Sequence, residues 1–177
     1  MKIFRTAFLF FALMITITGF LYPLSMTLLA KAFFPIQSKG SLIKNEKAQV
    51  IGSAWVGQNF QQEIYFWPRP SVINYNPMPS GGSNSGPTSE TLRQLVNERK
   101  KAGFTAEMLY ASASGLDPHV TPPTALKQAP RVAKARGLQQ AAVEDLILQL
   151  SESRQMGFLG VERINILKLN IALDHLR

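Results

Sequence analysis

Asp117 and His119 flank a proline in Ala111-Ser-Ala-Ser-Gly-Leu-Asp-Pro-His119. A carboxylate beside an imidazole invites acid/base or metal chemistry. The chain has only 2 histidines, however, and the other is His175, near the end of the sequence. No further ligand lies close by, and Asp before Pro is an ordinary turn initiator. Ser112 and Ser114 lie in the same segment without the Gly-x-Ser-x-Gly pattern of a nucleophile elbow. Ser80-Gly-Gly-Ser-Asn-Ser-Gly-Pro87 could aim backbone amides at an anion. It lacks the Lys and the Ser/Thr that hold nucleotide phosphate and metal. Its simpler reading is a structured loop whose glycines take positive φ. Arg69, between Pro68 and Pro70, is stiffly held and suits a bidentate salt bridge, inside the fold or to a partner. No cofactor or metal site is expected from these residues.

The elements that would position them can be read from the hydrophobic pattern. Val50, Ile51, Ala54, Trp55 and Val56 predict a first strand, broken at Gly57. Ile64-Tyr-Phe-Trp67 predicts an aromatic strand ended by Pro68 and Pro70. Trp55, Tyr65, Phe66 and Trp67 are expected in the core. Residues 71–89 form a long loop. Ser89 is the expected N-cap of a helix from Glu90 to Lys101, closed by Gly103. Glu107 to Tyr110 is a short helix or strand. Thr121 followed by Pro122 predicts a helix start, and Gly137 its stop, with a kink at Pro130. Lys127, Arg131, Lys134 and Arg136 on it are expected to form a solvated basic face. Ala141 to Leu150 is helical, Val161 to Leu167 strand-like, and Lys168 to Leu176 helical again. The fold class is α+β, with one N-terminal transmembrane helix before a single mixed domain.

The chain has 177 residues, no cysteine, 46% hydrophobic and 17% charged residues, and a net charge of +8. This excludes a disulfide scaffold and thiolate metal sites. Without a recognition motif, the basic surplus does not point to nucleic acid. Thr6 to Ala30 carries no charge. As a helix it would run about 37 Å, enough for the ~30 Å hydrocarbon core. A cleaved signal peptide is the rival reading, with Ala30-Lys-Ala32 as a loose exit site, but its apolar core would be shorter. Lys2 and Arg5 precede the span, and Lys31, Lys39, Lys44 and Lys47 follow it. Counting charge alone slightly favours the second flank inside. A long following domain translocates largely regardless of charge, so the N-terminus is expected inside and the domain outside. Ala12, Thr16, Gly19, Pro23 and Thr27 form a stripe of small residues, a candidate packing face for another membrane helix. The expected division is a span at 1–31, a connector at 32–47 and a domain at 48–177.

As an ordered set, the motifs become distinctive. They are Tyr65-Phe66-x-x-Arg69-Pro70-Ser71, Ser80-Gly-Gly-Ser-Asn84-x-Gly86-Pro87, and Ala111-Ser112-x-Ser114-Gly115-Leu116-Asp117-Pro118-His119. Then come Gln128-x-x-Arg131-Val132-Ala133-x-Ala135-Arg136-Gly137-Leu138 and Asn165-Ile-Leu-Lys-Leu-Asn170-Ile-Ala-Leu-Asp174. After an N-terminal membrane helix, this order closely resembles the C-subunit family of bacterial Kdp potassium-transporting ATPases. The resemblance covers nearly the whole chain; Ala113 stands where glycine is expected.

The resemblance implies an accessory subunit with no catalysis of its own. It implies a channel-like A subunit carrying potassium, a P-type B subunit hydrolysing ATP and a small F subunit as partners, in the bacterial inner membrane with lipid around them. ATP and potassium are then handled by those partners. The family is described as a catalytic chaperone that raises the B subunit's ATP affinity. An outward domain cannot touch cytosolic nucleotide, so action on the channel-like subunit from the outer face is expected; direct contact with ATP is the rival mechanism. Ser80, Gly81, Gly82, Ser83, Asn84, Arg69, Asp117 and His119 are the candidate partner interface. A membrane-anchored extracytoplasmic hydrolase using Ser114, Asp117 and His119 is the alternative of a different class.

Overall fold

The computed structural model describes residues 1–45 and 47–176. The chain divides into two compact units, Met1–Leu42 and Ile43–Arg177.

The first unit is dominated by one continuous helix, Lys2–Phe33, with a mean hydropathy of 2.0 over its most apolar window and none of that window buried. By length and composition it can cross a membrane. It is built from α1 (Lys2–Ile15), a wider π-helical stretch (Thr16–Leu21) and α2 (Tyr22–Phe33). Pro23 has no N–H to give and its ring crowds the preceding turn. The wide stretch directly ahead of it, where the Tyr22 N–H reaches back to the Ile17 carbonyl, relieves that crowding. The hydroxyls of Thr16, Thr18 and Thr27 donate to the carbonyls of Ala12, Met14 and Pro23 at 2.8, 2.7 and 2.7 Å. Their polarity is thereby satisfied inside the helix. The connector then tightens into a short turn at Gln37–Lys39, stopped by Gly40 at φ 84°.

The second unit mixes helix and strand. β1 (Leu42–Lys44) pairs with β2 (Val50–Ser53), and β3 (His119–Val120) with β4 (Ile164–Asn165). The β3–β4 pair is antiparallel, with His119 opposite Asn165 and Val120 opposite Ile164. The helices are α3 (Glu90–Lys101), α4 (Ala106–Leu109), α5 (Pro122–Arg136), α6 (Gln140–Leu150) and α7 (Ile166–His175). Ser89 caps α3 by accepting the Leu92 N–H, and Gly137 stops α5 in the left-handed region at φ 66°. Thr121 is the α5 N-cap by position, but its hydroxyl donates instead to the Glu107 carboxylate at 2.8 Å. α5 runs unbroken through Pro130.

The core lies where α5, α6 and α7 meet the β3–β4 pair. Val120, Ala125, Ala129, Val132, Val143, Ile147, Ile164, Ile166, Leu169 and Leu173 are buried there, joined by Phe66. α5 presents small residues at helical spacing to this core, which lets its backbone come close to α6.

Several expectations change. Ile64–Trp67 is not a strand, because its backbone partners are side chains, as described below. Val161–Leu167 is strand only at Ile164–Asn165, and α7 begins at Ile166, two residues ahead of the Lys168 start. Trp55 is 57% exposed, so of the aromatic group only Phe66 is a fully buried core residue; Trp55 instead lies 5.9 Å from the His119 ring.

Candidate partner interface

Phe66 has no neighbouring strand among the described residues. The Asn170 side chain takes that place: its Oδ1 accepts the Phe66 N–H at 2.9 Å and its Nδ2 donates to the Phe66 carbonyl at 3.0 Å. Gln128 repeats the arrangement at Trp67, at 2.9 and 3.1 Å. A carboxamide carries one acceptor and one donor in the geometry of a peptide, so two such side chains substitute for a strand edge.

Arg131 and Arg136 complete the clamp. Arg131 donates to the carbonyls of Glu63 and Tyr65 at 2.6 and 3.0 Å, and its guanidinium lies 3.8 Å from the centre of the Trp67 ring. Arg136 donates to the Ile64 carbonyl at 2.7 Å and pairs with Asp174 at 2.6 Å. The expected solvated basic face is therefore corrected: Lys127 and Lys134 are exposed, but both arginines turn inward. Their partners are carbonyls, which no charge pattern reveals. Asn165 acts similarly, donating to the Ala54 carbonyl at 2.7 Å while capping α7.

This clamp sets Arg69 in place. Its guanidinium meets the Asp117 carboxylate at 3.2 Å, with both side chains about one-third exposed or less, at 27% and 30%. Asp117 also accepts the His119 N–H at 3.0 Å, and the His119 ring stands 3.8 Å away. Burial alone would raise the Asp117 pKa, but the His119 ring and amide and the Arg69 charge outweigh it and hold the carboxyl below its usual range. Tyr75 donates its hydroxyl to the Arg69 carbonyl. Burial pushes that phenol up to about 12, against the opposing pull of Arg99 and with help from Asp117. It stays a neutral donor.

The glycine-serine loop lies against the same segment. The Ser114 carbonyl accepts from Ser80 Oγ at 2.9 Å and from the Gly81 N–H at 3.1 Å. A Cβ on Gly82 would stand 2.8 Å from the Ala113 carbonyl oxygen. Gly115, at φ 70°, leaves only 2.5 Å between such an atom and the Ile73 side chain. Ser83 and Asn84 are exposed, and Asn84 takes φ 51°. Ala113 is also exposed, so its methyl replaces the expected glycine without crowding.

Thus the structure brings Arg69, Asp117 and His119 into one polar cluster, and Ser80, Gly81 and Gly82 onto residues 113–115 of the adjoining turn. The Gly81 amide is used within the fold. Ser114 Oγ accepts the Leu116 N–H at 3.1 Å, and Asp117 is occupied by Arg69 and His119. Sequence reasoning placed Arg131 only on a solvated basic face and gave Gln128, Asn165 and Asn170 no role beyond their motifs; polar residues inside otherwise apolar helical stripes were the available signal.

The five motifs therefore describe one connected set of contacts within the folded unit, joined through Phe66–Asn170, Trp67–Gln128, Arg69–Asp117 and Ser80–Ser114. Comparison with known proteins gives the same set a family. A family model described as "KdpC: K+-transporting ATPase, c chain" matches residues 4–175. The chain belongs to the KdpC family. It is 48% identical to the potassium-transporting ATPase KdpC subunit of Geotalea uraniireducens, with 99% of each chain covered. It is 46% identical to that of Geobacter sulfurreducens, again over 99% of each, and 44% identical to that of Methylococcus capsulatus over 98% of each. In KdpC terms, the glutamine-arginine motif and the closing asparagine motif are the two jaws that hold the aromatic motif. The loop and turn motifs form the face that those jaws support.

Proposed function

We propose that this chain is a non-catalytic accessory subunit of an ATP-driven potassium uptake pump, needed for assembly and transport. The observation that carries this reading is the family match from residue 4 to residue 175, which takes in both the apolar helix and the folded unit. The partners are the channel-like A subunit, the P-type ATPase B subunit and the small F subunit, with the chain anchored in the inner membrane.

In this reading the folded unit lies on the outer face and acts on the channel-like subunit. A long domain following a single span favours that side. The chemistry of the cluster agrees with a shape-holding role. Arg69 is committed to Asp117, and the first glycine amide of the loop is committed to Ser114. A rise in the ATP affinity of the B subunit then has to be transmitted as a coupling free energy between separate sites.

The absence of cysteine makes a direct test simple. Ser83→Cys places one thiol on the exposed loop. In intact cells, a membrane-impermeant thiol reagent is expected to label it. Labelling only after lysis, both with and without the partner subunits, would put the domain inside and overturn the outer-face mechanism.

A further inference from the structure

Among the described helices of the second unit, α3 alone buries no residue: none of its 12 is buried. α4, α5, α6 and α7 all contribute buried side chains. The apolar stripe of α3 is short. Leu92 and Val96 are half-buried, and Leu95 is 38% exposed. Leu92 and Val96 line a cleft of about 540 Å³ together with Pro87 and the half-exposed Tyr110. Well-packed interiors hold no voids of that size, so α3 meets its neighbours through a loose contact.

Polar ties are equally sparse. Among the described residues, one side-chain hydrogen bond joins α3 to another element: Arg99 Nη1 donates to the Leu109 carbonyl of α4 at 2.7 Å. Glu90, Arg93 and Gln94 bond with one another inside the helix, and the Ser89 cap acts within its first turn. Gly103 follows the helix at φ 80°, with nothing within 4 Å of the place a Cβ would take. The chain is fixed again at Phe104, whose ring stands 6.1 Å from that of Trp67. On the other side, Ser80 and Gly81 hold to the Ser114 carbonyl. α3 thus hangs between two anchored points. Elements with few buried apolar contacts open at a lower free energy than the whole fold.

We propose that α3 is a hinged flap that swings off α4 and Tyr110 while the α5–α7 core stays folded, with Arg99 as its latch and Gly103 as its hinge. The proposal goes beyond the accessory-subunit reading and does not rest on it. Opening bares Tyr110 and the Leu92–Val96 stripe and leaves the Ser80–Ser114 and Arg69–Asp117 contacts in place, since none of them involves α3. The unit therefore has two shapes along this edge, and a ligand or subunit that fits one better shifts the balance toward it.

The test is amide hydrogen exchange on the full chain in detergent, resolved by segment. A helix of this length is marginal on its own in water, so an undocked α3 frays and its amides exchange. The expected protection of α3 is about 100-fold or more below that of α5 and α7, and it is insensitive to low urea while theirs falls. Protection equal to that of α5 and α7, lost together with theirs, would overturn the proposal. So would exchange at the unfolded-chain rate throughout α3, because the helix would then not dock at all. Arg99→Ala is expected to speed α3 exchange about tenfold while leaving α5, α7 and the thermal midpoint unchanged. An unchanged α3 rate would remove Arg99 as the latch, and an equal rise in all three helices would make α3 part of the core. If this variant fails to fold, exchange in the unaltered chain still decides.

Discussion

Asn170 holds Phe66 by both of that residue's backbone polar groups, accepting its N–H at 2.9 Å and donating to its carbonyl at 3.0 Å. Both residues are buried, at 1% and 0% exposure. Replacing Asn170 with Ala leaves a donor and an acceptor without partners in the core. The expected loss is about 2–4 kcal/mol. Thermal unfolding of the full chain in detergent would show it as a fall of about 5–15 °C in Tm. A fall of less than a degree or two would mean that water or a neighbour replaces the amide.

Arg131 makes the same point with charge held constant. Arg131→Lys keeps the positive charge but cannot reach the Glu63 and Tyr65 carbonyls together while stacking on Trp67. The expected cost is about 1–3 kcal/mol. Lys134→Ala on the same helix is exposed and should stay within about 0.5 kcal/mol. Equal effects in denaturant titrations would return both residues to the solvated face.

Asp117 gives the cluster a dependence on acidity. Its folded pKa lies below the ordinary value of 3.8. Its stabilising contribution is therefore fully present above the unfolded value and is lost as pH falls through the folded one. The stability difference between the unaltered chain and Asp117→Asn should be constant from neutral pH down to about 5 and shrink below about 4. A difference that stays unchanged well below about pH 4 would mean that the ionised carboxylate contributes nothing to the cluster's stability.

The loop glycines separate into two kinds. Gly115→Ala forces a left-handed residue to carry a side chain against Ile73, and Gly82→Ala meets the Ala113 carbonyl. Strain of about 1–3 kcal/mol is expected at Gly115, with loss of the Ser80–Ser114 contact. Gly86→Ala has nothing within 4 Å and should be silent. Proteolysis at residues 80–87, slow in the parent and in Gly86→Ala, should quicken in the other two.

The helices were legible because their signals are local. Ser89 before Glu90–Lys101 and Thr121-Pro122 before a stretch ending at Gly137 each mark a boundary with chemistry that acts within one turn. The aromatic segment was not legible in the same way. Ile64–Trp67 has strand composition, yet its backbone is satisfied by carboxamides and guanidiniums from far along the chain. Periodicity carries no record of such partners. The candidate interface lay in between. Its residues were named from turn chemistry, but that the Ser80–Gly82 loop rests on residues 113–115, and that Arg69 reaches Asp117, depends on long-range closure.

That closure has a direction in time. Phe66 and the asparagine that pairs with it are 104 residues apart, and α7 also supplies Ile166, Leu169 and Leu173 to the core. A growing chain has made the aromatic segment, the loop, α5 and α6 before the residues that lock them exist. Contacts this distant in sequence form late. Until α7 has been synthesised, the core lacks Ile166, Leu169 and Leu173, and the Phe66 N–H and carbonyl lack their partner. α5 already holds Ile64, Tyr65 and Trp67, yet the domain closes only once α7 is made.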